Sequence, residues 1–217
     1  MQTYTRRAAL AALAALAPLK TVPLGFLGEA RGAAGPRTFA VEAGESRALI
    51  DVGKSGAFGF AGHTHEVEAP LRRGIVHFDA DDPSRHDVRL EFDAAAMHVT
   101  GRGESASDVP KVTATMLGDA VLDVARYPTI TFESTGVSAK GSAARLDLSV
   151  TGRLTIRGRT QTVAAPVAVK ISGDRLTATG TFVVKQTDFG ITPISVGGVV
   201  KVKNELNITF TIAARER

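Results

Sequence analysis

Apolar and polar positions alternate along most of this chain. Between Tyr127 and Ile171, Ile130 and Phe132 alternate with Thr129, Thr131 and Glu133, and Leu146, Leu148, Val150, Leu154 and Ile156 alternate with polar neighbours. A period of two, with one dry face and one wet, predicts half-buried antiparallel strands. Gly136, Gly141 and the Gly158-Arg159 pair are placed where hairpin turns would fall. Upstream, the pattern predicts a short strand at Leu49–Val52, a turn at Ser55-Gly56 and a long strand from Phe58 to Ala69. A turn at Arg72-Arg73-Gly74 then leads into Ile75–Asp79, and a turn at Asp81-Asp82-Pro83 precedes alternating Val88, Leu90 and Phe92. The C-terminal third carries Val167, Val169 and Ile171, then Leu176, Ala178, Phe182 and Val184, then Val200 to Ile212 at the same period.

Only between Ser105 and Val124 does the period change. Asp108 can cap a helix with Pro110 in its first turn, Val112, Met116 and Leu117 recur at helical spacing, and Gly118 stops it. So short a helix needs a sheet or a barrel mouth to bury its apolar side. About eight strands with one short helical insertion make a sandwich or a closed antiparallel barrel, and closure removes sheet edges. Small residues at Gly152, Ala178 and Gly180 favour an interior with space.

The first 34 residues form a separate segment. Arg6-Arg7 precede an apolar run from Ala8 to Leu19, shorter than the ~20 residues a membrane-spanning helix needs. It reads as an export signal, of Sec or twin-arginine type, cleavable after Ala34 and sending the chain to the periplasm or the exterior. The chain then divides into residues 1–34 (signal), 35–47 (lead-in) and 48–214 (barrel). The whole sequence carries 26 basic and 22 acidic residues, but without residues 1–34 the counts become 22 and 21. A net charge near +1 on the remainder gives no reason to expect a nucleic-acid surface. With no cysteine, disulfides, thiolate metal sites and cysteine nucleophiles are excluded, and a metal would need His and carboxylate ligands.

Candidate chemistry is sparse. His63 and His65, two apart on one predicted strand, share a face and are the candidate metal ligands, with His77 and His98 as further donors; lining a polar rim is the plainer account. No Gly-x-Ser-x-Gly, phosphate loop or His-Glu-x-x-His motif occurs, so no enzyme is expected. Lys185 and Asp188 follow an apolar strand, where they would either meet a ligand head group at a barrel mouth or form a strand-end turn.

Four blocks together carry a resemblance: Leu117-Gly118 to Leu122-Asp123-Val124, Tyr127 to Ser134, Val150 to Thr160, and Asp188-Phe189-Gly190-Ile191. In order and spacing they are similar to the YceI-like family of polyisoprenoid-binding proteins, from about Ala48 to Ala213. The resemblance implies a lipocalin-like barrel, export, and an apolar tunnel holding an isoprenoid of quinone or polyprenyl phosphate type. Phe60, Phe78, Phe92, Ile130, Phe132, Leu148, Phe182 and Phe210 are the expected inward residues, with Met116 and Leu117 closing one end. Such a carrier would exchange lipid by peripheral contact with a membrane and would have the option of dimerising. The stretch Phe58-Gly59-Phe60-Ala61-Gly62-His63-Thr64-His65 departs from the usual family pattern and marks a divergent subgroup. A metal-binding protein using His63 and His65 is the alternative reading.

Overall fold

The computed structural model describes residues 35–55, 64–82, 85–142, 145–196 and 200–217. Eleven strands and one α-helix occupy them: β1 (Arg37–Val41), β2 (Arg47–Ser55), β3 (His65–Phe78), β4 (Asp87–Asp93), β5 (His98–Val99), α1 (Val109–Leu117), β6 (Thr129–Ser142), β7 (Arg145–Ile156), β8 (Arg159–Ser172), β9 (Arg175–Lys185), β10 (Ser195–Val196) and β11 (Val200–Glu216). The sheet runs β2-β3-β4-β6-β7-β8-β9-β11, every pair antiparallel, and β11 returns to β2. The result is a closed eight-stave antiparallel barrel, as the alternation predicts.

One stave is built from two strands. β1 and β2 both lie between β11 and β3, β1 opposite Ala214–Glu216 and β2 opposite Lys201–Thr211. A one-turn 3-10 segment, Ala43–Glu45, interrupts them. There the Ser46 hydroxyl stands in for the missing ladder, accepting from the Ala213 amide at 3.0 Å and donating to its carbonyl at 3.2 Å. Residues 35–47 thus contain a strand of the wall, and Phe39 in it is fully buried.

Three predicted turns are strand. β3 runs 14 residues without turning at Arg72-Arg73-Gly74, where only the register against β4 slips. Gly74 answers crowding, since a Cβ there would stand 2.7 Å from Leu90 Cδ2 and 2.8 Å from Val41 Cγ2. Gly136 likewise sits at a register irregularity inside β6, and Gly141 continues that strand. The β7–β8 hairpin is real, but its two-residue loop is Arg157-Gly158, with φ of 51° and 69°, the left-handed pair of a type I′ turn. Asp79, itself buried, organises the turn before β4 by accepting from the Asp81 and Asp82 amides. Helix α1 forms as the spacing predicts, with Pro110 in its first turn and the Gly118 amide donating back to Ala114 and Thr115.

The interior is predominantly apolar. Around the end that α1 covers it is built by Ile50, Val67, Leu71, Phe92, Leu122, Ile130, Leu154 and Phe189; at the far end by Phe39, Val76, Phe78, Leu148, Val169 and Leu176.

Candidate functional site

Because side chains alternate across a strand, every second residue of all eight staves points into the barrel. They do not fill it. A cavity of about 440 Å³ runs between the two apolar groups, a size typical of small-molecule sites. Seven of the residues expected to face inward line it, Phe78, Phe92, Ile130, Phe132, Leu148, Phe182 and Phe210, and so does Met116, expected to close one end. Leu117 packs against the core behind the lining, and Phe60 lies outside the described residues. Lys185 and Asp188 are exposed and stand outside the lining, which is reached instead by the buried Gln186 between them. Gln186 spends its amide nitrogen on the Lys203 carbonyl at 2.7 Å, and the Asp188 carbonyl accepts from Gln161. The segment is a strand-end turn, ending at Gly190 with φ of 71°.

The two inward glycines do not create the space directly. A Cβ on Gly152 would stand 2.4 Å from the Phe132 ring, and one on Gly180 2.6 Å from the Phe210 ring. Each glycine lets a neighbouring phenyl lie against the wall, so the ring lines the lumen without crossing it.

Helix α1 lies over one mouth. Lys111, Val112, Thr115 and Met116 face the cavity, and none of the helix is fully buried. Its exit is tied down by Arg157, which donates to the Asp119 carbonyl at 2.7 Å and to the Gly190 carbonyl at 3.1 Å. The stretch leading into it turns at Gly101 and Gly103, with φ of 81° and 77°. It is fastened outside the wall by Thr100 and Arg102, both on Glu66.

That turn carries Glu104 inward. Its carboxylate, 3% exposed, stands 2.8 Å from His65 Nδ1 on β3. Lys54 on β2 completes the group. Burial pushes its amine below the ordinary lysine range, partly offset by the Glu104 carboxylate. Lys54 Nζ, His65 Nδ1 and Glu104 Oε1 are all hidden from solvent and, among the described residues, none makes a hydrogen bond. Sequence reading finds only His65 of the three. Lys54 has a visible signal, because it breaks the run Ala48, Ile50, Val52 on the inner face with a charge; Glu104 has none, because a turn aims it.

The histidines do not gather. His77 Nδ1 pairs with Thr38 Oγ1 at 3.0 Å, His98 is exposed with Nδ1 toward the Ala96 carbonyl, and His63 lies outside the described residues. Among the described residues no three His, Asp or Glu side chains converge as a metal ion needs. At the far end His86 stacks on Phe78, with Nε2 2.7 Å from the Asp79 carbonyl.

Known proteins share this architecture. A crystal structure of BcnA from Burkholderia cenocepacia is similar at a TM-score of 0.60 and 21% identity, covering 80% of this chain and 98% of that one. A polyisoprenoid binding domain from Saccharophagus degradans, implicated in plant cell wall breakdown, is similar at 0.55 and 12% identity, covering 82% and 98%. At those identities the likeness shows the fold. No curated protein matches the chain significantly. The sequence profile of the YceI-like domain matches residues 39–214, from the buried Phe39 of β1 to the buried Ala214 of β11, and the chain therefore belongs to the YceI-like family.

Proposed function

We propose that this chain is an exported, non-enzymatic carrier that holds the hydrocarbon chain of an isoprenoid lipid inside its barrel. The observation that carries the reading is the unfilled apolar cavity running between both ends of the barrel. A polyprenyl chain offers no hydrogen bonds along its length, so affinity must come from apolar surface, about 0.8 kcal/mol per buried methylene, less the cost of ordering a flexible chain. A lumen walled by Val, Ile, Leu and Phe suits that ligand and holds no nucleophile placed for catalysis among its described residues. The polyisoprenoid binding of the similar Saccharophagus domain supports the same class of ligand. Export rests on residues 1–34, and lipid exchange would occur at a membrane surface through the mouth under α1.

The test is native mass spectrometry of the protein purified without detergent from its own compartment, followed by solvent extraction. A one-to-one adduct that extracts as an isoprenoid is expected. A barrel that stays empty in the cell and takes up no isoprenoid afterwards would overturn the reading.

A further inference from the structure

We propose that Gln186 is the polar anchor of the bound lipid: its carboxamide oxygen accepts a hydrogen bond from an O–H on the ligand's head, which holds that head at the α1 end of the lumen with the hydrocarbon chain running toward Phe78. The proposal rests on the carrier reading and adds to it an orientation and a contact.

The alternation of β9 sets the position. Phe182 and Val184 turn into the barrel, and Gln186 follows at the same period, so it lines the lumen although it is the first residue past the strand. Its backbone is pinned there, because its carbonyl accepts from the Gly190 and Ile191 amides. Its side chain is pinned as well. A main-chain carbonyl can only accept, so the 2.7 Å contact with the Lys203 carbonyl fixes which end of the carboxamide is nitrogen and leaves the oxygen on the other side of the group.

That oxygen has no hydrogen-bond partner among the described residues. The unpaired tips of Lys54, His65, His86 and Glu104 are sealed even from water, and Gln186 Oε1 is not one of these. In a side chain that lines the lumen and belongs to a residue only 7% exposed, the open side is the lumen.

The other polar side chains of the lining are engaged. At the same end His65 Nδ1 faces Glu104 at 2.8 Å, the Lys111 ammonium pairs with Asp108 at 3.1 Å, and Thr115 donates to the Lys111 carbonyl at 2.9 Å. At the far end His77 is engaged with Thr38 and His86 with the Asp79 carbonyl. A hydrocarbon chain lying against Gln186 would take water from its oxygen and give nothing in return, and a buried acceptor left in that state costs free energy. A hydroxyl in the same place restores the bond, in surroundings dry enough to strengthen it. The ligand therefore lies with its donor at Gln186 and its chain along the Val, Leu and Phe side chains of the remaining lumen.

The experiment offers the delipidated protein an equimolar mixture of geranylgeraniol and its methyl ether, which differ in that single donor. Native mass spectrometry reads the two adducts, and NOEs from the carbinol protons of the bound alcohol locate its head. The alcohol is expected to lead by about tenfold, with NOEs to Val184 and Phe189 and none to Val76 or Phe78. Gln186→Leu, which has no acceptor, should bring the ratio to about one. Equal uptake by the wild type, a lead that survives in Gln186→Leu, or NOEs at Val76 and Phe78 instead would each overturn the anchor and leave the carrier reading standing. Should Gln186→Leu fail to fold, the wild-type ratio and NOEs decide alone. Uptake of neither lipid removes the carrier reading and this one with it.

Discussion

Gly152 and Gly180 show how an absent side chain can shape a lumen. Their own space is already taken by the Phe132 and Phe210 rings and by backbone oxygens, at 2.6 Å from Glu133 O and 2.5 Å from Pro166 O respectively. A ring can rotate away from a new methyl, but a carbonyl in a strand ladder cannot. Gly152→Ala should therefore lower stability by about 1–3 kcal/mol, the usual cost of overpacking, and tilt Phe132 across the cavity. Gly136→Ala is the control, with nothing within 4 Å of the added atom. Urea melts of the two variants check this, and equal midpoints would contradict it. Lys54 and Glu104 belong to the opposite case, polar side chains whose tips are hidden from solvent. A charged residue at an inward position of β2 can be read from the alternation. Its partner arrives from some 50 positions away on a turn set by Gly101 and Gly103, and no local pattern announces it.

Among the elements, strands were the most legible, because a closed barrel with one wet face and one dry face imposes period two on every stave. The boundaries were less so. Gly74 and Gly136 look like turn residues in the sequence, yet both sit inside strands, since a glycine that lets neighbouring chains approach is indistinguishable, without tertiary context, from one that reverses the chain. The short helix was legible from Pro110, its spacing and the Gly118 stop, although the expected Asp108 cap makes no side-chain capping bond, and its duty follows from where it lies. With none of its residues fully buried, α1 contributes little to the fold compared with what it contributes to the cavity, over which Met116 and Val112 lean. Met116→Asp should consequently leave the melting temperature within a few degrees of wild type and abolish co-purifying lipid. Retention of a full lipid complement by this variant would show that α1 is not the entrance.

For the whole molecule, closing the barrel requires the two ends of the chain to meet, because β11 must find β9, β2 and β1. Pairings that distant in sequence make folding slow, and the last contacts to form are fragile. Arg37 and Glu216 clasp this join through a two-pronged ion pair, with Nε 3.0 Å from Oε1. Hydrogen bonding from Arg37 holds the Glu216 carboxyl below its ordinary 4.5. A lowered carboxyl stabilises the fold above that ordinary value, and the contribution is lost as pH falls from it through the folded-state value. Glu216→Gln should thus flatten the acid limb of the stability curve below about pH 4.5 while leaving its shape at neutral pH unchanged. An identical acid limb in thermal melts of wild type and variant would remove the clasp from the account. The split stave has a topological meaning as well. With β1 and the tail of β11 side by side, the order of the staves around the wall is cyclic, and where the polypeptide starts is arbitrary with respect to the pairing. A peptide bond cut in the Arg157-Gly158 hairpin and a short linker from Arg217 back to β1 would preserve every ladder in the wall, so the barrel is, in the language of graphs, a ring with one edge left undrawn.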